Sequence, residues 1–81
     1  MNQEIVKELD KILPVVVRVH GEHHPELHQV AVLYAQLKDA PSAAVIGQLK
    51  EITGNFTAPA DACPTFRKTY AGLEALAGEL K

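Results

Sequence analysis

The sequence predicts an all-α protein, a small bundle of about four amphipathic helices. Apolar residues recur three and four positions apart along four segments, which is the spacing of one helix face. Prolines, glycines and short polar stretches separate these segments, and no alternating pattern indicates a pair of strands. We therefore expect a single helical domain over residues 1–81, with helices at approximately 2–20, 25–38, 42–53 and 64–80.

The first helix is expected to begin after Asn2, a favourable cap residue, and to end at Gly21. Its apolar positions have helical spacing: Ile5, Leu9, Ile12, Leu13 and Val16. Pro14 removes a backbone hydrogen bond inside this helix and predicts a kink or break around residues 10–13. Residues 15–19 have strand propensity, but the chain offers no partner strand, so we interpret them as helical.

The other three helices follow from the same spacing. Pro25 fits the first turn of the second helix, and Glu26 suits its positive end. The apolar stripe of the second helix is Leu27, Val30, Ala31, Tyr34 and Leu37. After a break at residues 39–42, the stripe of the third helix is Ala44, Val45, Leu49 and Ile52. Residues 54–63 form the longest expected loop, and the last helix begins near Pro64 with the stripe Phe66, Tyr70, Leu73, Leu76 and Leu80.

Composition argues against several classes of function. The formal net charge is −2 and no basic cluster occurs, which disfavours binding to nucleic acid. No apolar run reaches the roughly 20 residues of a membrane span, and the N-terminus lacks the pattern of a signal peptide. The single cysteine, Cys63, cannot form an internal disulfide, which fits a reducing compartment. We expect a cytoplasmic protein that binds neither nucleic acid nor a membrane.

All four histidines lie in one short segment, at positions 20, 23, 24 and 28. His20 continues the apolar face of the first helix, while His24 and His28 are one helical turn apart. A break at Gly21 would bring these three imidazoles together as ligands for iron or zinc. The alternative is a polar connector between helices, in which the histidines cap a helix, face solvent or bond a carbonyl, because no full set of ligands lies nearby in sequence.

Cys63 is the second candidate for chemistry. It precedes Pro64 at the expected start of the last helix, where the positive end of the helix dipole favours a thiolate. The alternative is a half-buried cysteine that packs the loop. No Ser–His–Asp or Cys–His arrangement is evident, so we assign no catalytic or cofactor-binding residue. Enzymatic activity is left open, with the balance against it.

Two blocks of the sequence resemble the hemerythrin-like iron–sulfur cluster repair proteins, the repair-of-iron-centres family. The first block is residues 17–31, which contain Arg-Val-His-Gly and His-Pro-Glu-Leu. The second is residues 49–73, which contain Leu-Lys-Glu-Ile-Thr and Asp-Ala-Cys-Pro. Together they cover most of residues 12–81. The resemblance implies a four-helix bundle that holds two irons with histidines and bridging glutamates and acts in repair under nitrosative or oxidative stress.

When the iron ligands of the family are matched to this chain residue by residue, only His20, the histidine of Arg-Val-His-Gly, falls on a ligand position. Residues 1–19 contain no histidine, and the family's His-Met-x-Lys-Glu-Glu block is absent between Gln36 and Pro41. The histidine expected before Leu49 is also missing, and the final His-x-x-x-Glu-Asn block would fall beyond the last residue. A standard di-iron site is therefore not expected within one chain.

Two functions of different classes follow. In the first, a homodimer or a complex with a full-length homologue brings His20, His24 and His28 to an interfacial site for iron, with zinc as the alternative, and the protein handles iron or repairs clusters. In the second, the protein is a metal-free helical module that binds a protein partner and needs no cofactor. A chain this short buries roughly 60–65% of its unfolded surface, so we expect a dimer. Clustered histidines would favour the metal, and apolar stripes without clustered histidines would favour the module.

Overall fold

The computed structural model describes residues 1–80, and these form four α-helices, which confirms the predicted all-α bundle. The helices are α1 (Gln3–His20), α2 (Glu26–Asp39), α3 (Ala43–Ile52) and α4 (Pro64–Glu79). Each predicted boundary lies within one residue of the observed one. The closest packing is between α1 and α4, between α1 and α2, and between α2 and α3, so α1 and α2 lie at the centre. No helix within residues 1–80 has both the length and the apolar character needed to cross a bilayer.

Helix α1 begins as predicted but is not broken at Pro14. The Asn2 side chain accepts hydrogen bonds from the backbone N–H groups of Glu4 (2.9 Å) and Ile5 (3.2 Å). The helix then continues through Pro14 to its end, so of the two predicted alternatives, a kink or a break, the break is wrong. Pro14 is exposed, which lets water reach the backbone carbonyl that loses its helical partner. The buried side chains on either side of it hold the two halves of the helix against the same core.

The core draws side chains from all four helices. Its fully buried members are Leu9, Val16, Leu27, Val30, Leu33, Leu37, Leu49, Phe66, Thr69, Leu73 and Leu76. The predicted stripes supplied most of these, but Leu33 and Thr69 were not among them. In α3 the predicted residues Leu49, Val45 and Ile52 lie in or against the core, but the structure leaves Ala44 exposed and buries Ile46, which the predicted stripe did not include. A methyl group gains less from burial than the larger isoleucine side chain, which favours Ile46 over Ala44 at the core.

The loop after α3 is folded onto the core by an unusual backbone. Gly54, Asn55 and Phe56 have φ angles of 60°, 61° and 60°, in the left-handed region that favours glycine. For Phe56 this conformation is unfavourable, and burial of its ring, which is only 9% exposed, compensates. Its N–H donates to Thr53 Oγ1 at 2.9 Å, and Thr53 Oγ1 itself donates to the Leu49 carbonyl at 2.6 Å. The Thr53 hydroxyl therefore joins the end of α3 to the strained turn.

We predict that Thr53→Val destabilises the fold by about 1–3 kcal/mol, because it leaves the buried N–H of Phe56 without a partner while keeping the shape of the side chain. The free energy of unfolding, measured by urea denaturation, checks this. Thr53→Ser is the matched control, since it keeps the hydroxyl and should retain most of the stability. Equal stability of the valine variant and the wild type would show that the hydroxyl does not hold the turn.

Candidate functional site

The histidine segment forms the turn between α1 and α2 and lies against the first turn of α4. The turn closes with a backbone hydrogen bond from the N–H of His24 to the carbonyl of His20, at 2.8 Å. Both rings then contact Phe66 of α4, with ring centroids 5.1 Å away for His20 and 5.5 Å away for His24. Phe66 is fully buried, so these two imidazoles sit at the edge of the core rather than free in solvent.

His20 pairs with Cys63. The Nε2 atom of His20 lies 3.3 Å from Cys63 Sγ, within hydrogen-bonding distance, and both residues are half-buried. Cys63 is the N-cap of α4, as predicted, and its Sγ accepts the N–H of Phe66 at 3.4 Å. The pair can exchange a proton between sulfur and nitrogen, or offer two ligands to a soft metal ion. The sequence did not reveal this Cys–His arrangement, because 43 positions separate its members.

His24 pairs with carboxylates on both of its ring nitrogens. Its Nε2 lies 3.1 and 3.2 Å from the two carboxylate oxygens of Asp61, and its Nδ1 lies 3.3 Å from Glu26 Oε2. The hydrogen bond to Asp61 raises the pKa of His24 above its usual value, and the charges of both carboxylates act in the same direction. The same hydrogen bond lowers the pKa of Asp61. This pair joins the α1–α2 turn to the loop that precedes α4.

His28 lies away from the other two predicted ligands. It is exposed and lines a groove between α1 and α2, close to Gly21. A side chain at Gly21 would clash with the carbonyl oxygen of Val17 and lie 2.9 Å from His28 Nε2, so the tight turn requires glycine there. Across residues 1–80, no three histidine, cysteine or carboxylate side chains come together in a way that could hold one metal ion. His20, His24 and His28 are therefore not assembled into a site within one chain.

The groove beside His28 lies between α1 and α2 and has a volume of about 770 Å³. Its floor and walls are mostly apolar or small: Leu13, Pro14, Val17, Ala31, Tyr34 and Ala35. At one end Lys38 Nζ donates to Asp10 Oδ1 at 2.8 Å, and the hydroxyl of Tyr34 donates to the same oxygen at 2.9 Å. These bonds hold the pKa of Asp10 below its usual value. Arg18, Glu22 and His28 lie at the other end.

Comparison of the chain with protein-family models, with curated proteins and with solved structures found no match. The resemblance to the cluster repair proteins therefore stays a prediction from two sequence blocks. Its one assigned ligand, His20, is placed by the structure beside a thiol and an aromatic ring.

We predict that Asp61→Asn lowers the pKa of His24, which an NMR titration of the imidazole would measure. In the wild type the pKa should exceed the usual value of about 6.5. Because folding raises the pKa of His24, the pair stabilises the fold fully below that usual value, and its contribution is lost as pH rises through the folded pKa. Folding lowers the pKa of Asp61, so the contribution also fades as pH falls through the folded value of that carboxyl group.

Asp39→Asn is the control for this titration, because it removes an exposed carboxylate at the far end of α2 and should leave the pKa of His24 unchanged. An unchanged His24 pKa in Asp61→Asn would mean that the turn and the loop are not joined in solution.

Proposed function

We propose that this protein is a helical protein-interaction module and that the groove between α1 and α2 is its binding surface. The observation that carries this proposal is the apolar lining of the groove, in which Pro14 and Ala35 are exposed and Val17 and Ala31 are half-buried, while polar groups are confined to its two ends. An open apolar groove rimmed by polar residues is typical of a protein-binding surface. The proposal follows the metal-free alternative that the sequence left open.

The dimensions of the groove suit an α-helix. The residues of α1 that line it run from Leu9 to Arg18, which corresponds to roughly 14 Å of helix, or two and a half turns. On the α2 side, Ala31 and Ala35 carry only methyl groups, so the backbone of a third helix can approach closely. Such a partner would place apolar residues three and four positions apart on the floor and polar residues at the two charged ends.

The positions of the histidines support the module over an interfacial site made from all three predicted ligands. His20 and His24 face Phe66 on the α4 side, whereas His28 lies in the groove on the α2 side. A two-fold axis that brought His20 and His24 together with their copies would leave His28 far from its own copy, and an axis beside His28 would do the reverse. The resemblance suggests a partner, a full-length homologue from the cluster repair family.

We predict that Ala35→Arg abolishes binding to such a full-length homologue, measured by isothermal titration calorimetry. The long charged side chain would fill the groove, and because Ala35 is exposed the fold should tolerate it. Gln36→Arg is the matched control: it adds the same side chain to the next position of α2, which is exposed and outside the groove. Equal binding by the two variants would remove the groove from the interaction.

Metal handling is the second candidate function, and the His20–Cys63 pair favours it. A thiol and an imidazole 3.3 Å apart are two ligands already in position, and iron and zinc both accept this combination. The pair fits only part of a coordination shell, so a second chain or small molecules would supply the other ligands. In this role the protein would bind or deliver iron during nitrosative or oxidative stress, as the resemblance implies.

Metal content separates the two candidates. We expect protein reconstituted anaerobically with iron(II) or zinc and then desalted to retain no metal by elemental analysis, because one chain assembles no group of three ligands within residues 1–80. Retention of about one equivalent per chain would instead favour metal handling. In that case His20→Gln and Cys63→Ser should lose the metal, whereas His28→Gln, which alters a histidine outside the pair, should keep it.

A further inference from the structure

We propose that a second copy of this chain occupies the groove, with the two α1 helices antiparallel and crossing at a two-fold axis beside Pro14. This inference rests on the proposed function, since it takes the groove as the binding surface and names the occupant. Pro14 lines the groove at the middle of α1 and is exposed. Because the backbone nitrogen of proline carries no hydrogen and its ring extends only a short distance from the helix, two helices can cross closely there.

The charges along α1 are self-complementary about Pro14. In an antiparallel pair that crosses at this residue, positions equally distant from it face each other. Asp10 then meets Arg18 of the second copy, since each lies four residues from Pro14. Lys7 meets the position of Gly21, beside Glu22. Asp10 therefore faces an opposite charge, Lys7 lies near one at Glu22, and the symmetry forms each contact twice.

These charged groups are available for such contacts. Asp10 uses Oδ1 for its bonds to both Lys38 and Tyr34, and its Oδ2 has no hydrogen-bond partner among residues 1–80. The Asp10 side chain is 46% exposed. Lys7, Arg18 and Glu22 are also exposed, and within the described part of the chain they take part in no ion pair.

The same charges disfavour other registers. A slide of one helical turn would bring Asp10 of one copy against Glu22 of the other, and a parallel arrangement would place the two Arg18 side chains together. A standard interface buries about 800 Å² per partner, which is about a sixth of the 4785 Å² exposed by this chain. A short groove of this kind supports a reversible dimer rather than an obligate one.

Charge-reversal variants test this register. The dissociation constant of each dimer is measured by sedimentation equilibrium over a concentration series. Lys7→Glu alone and Glu22→Lys alone should each weaken dimerisation about tenfold, because each replaces two attractive contacts with two repulsive ones. The double variant should restore the wild-type dimer. Within one chain these residues lie roughly 22 Å apart along the helix, so an internal ion pair cannot produce the restoration. Glu8→Lys reverses an exposed charge on a different face of α1, whereas Lys7 lies two turns from Pro14 on the same face, so the Glu8 variant should leave dimerisation unchanged.

The outcomes separate this inference from the proposed function. A monomer at every concentration, with binding of the homologue still lost in Ala35→Arg, would overturn the self-pairing and leave the groove as a binding surface. A dimer that both single reversals leave unchanged would overturn the crossing at Pro14. Restoration in the double variant supports the inference even where the homologue does not bind. Far-UV circular dichroism confirms that each surface variant is folded.

Discussion

The docking of Phe66 against the end of α1 is the contact on which the rest of the arrangement depends. Phe66 lies in the first turn of α4 and is fully buried. Its ring contacts His20, His24 and Tyr70, and its N–H bonds the thiol of Cys63. One side chain thus fixes the start of α4, the end of α1 and the turn that follows. Without it, neither the Cys–His pair nor the His24–Asp61 pair would have its geometry, since each joins the turn to the segment before α4.

Helix α1 separates two surfaces of different chemistry. On the α4 side lie the imidazoles of His20 and His24 with their thiol and carboxylate partners. On the α2 side lies the apolar groove, into which only His28 of the three predicted ligands extends. This division follows from the turn at Gly21, which sends α2 back along one side of α1 while α4 returns along the other. Histidines that are neighbours in sequence are therefore on opposite sides of a helix.

Local features were predicted from the sequence, and features that depend on distant residues were not. The helix boundaries and the caps at Asn2 and Cys63 depend on residues within one turn, so spacing and cap chemistry identified them. The continuity of α1 through Pro14 depends on tertiary packing, which outweighs the local penalty. The left-handed backbone of Phe56 depends on burial of its ring, and the His20–Cys63 pair joins residues 43 positions apart. No local pattern encodes either one.

A structural cluster differs from a binding surface in that its side chains already have their partners within the chain. In the histidine cluster the partners are already present: His24 has carboxylates on both nitrogens, and no buried side-chain nitrogen or oxygen of residues 1–80 lacks a hydrogen bond. The cluster therefore gains stability without a ligand. The groove is the reverse case, because Pro14 and Ala35 in its lining are exposed and Val17 and Ala31 are only half-buried. Covering this apolar surface with a helix would gain roughly 25 cal/mol per Å². This contrast is the physical reason to look for a partner at the groove before looking for a metal at the histidines.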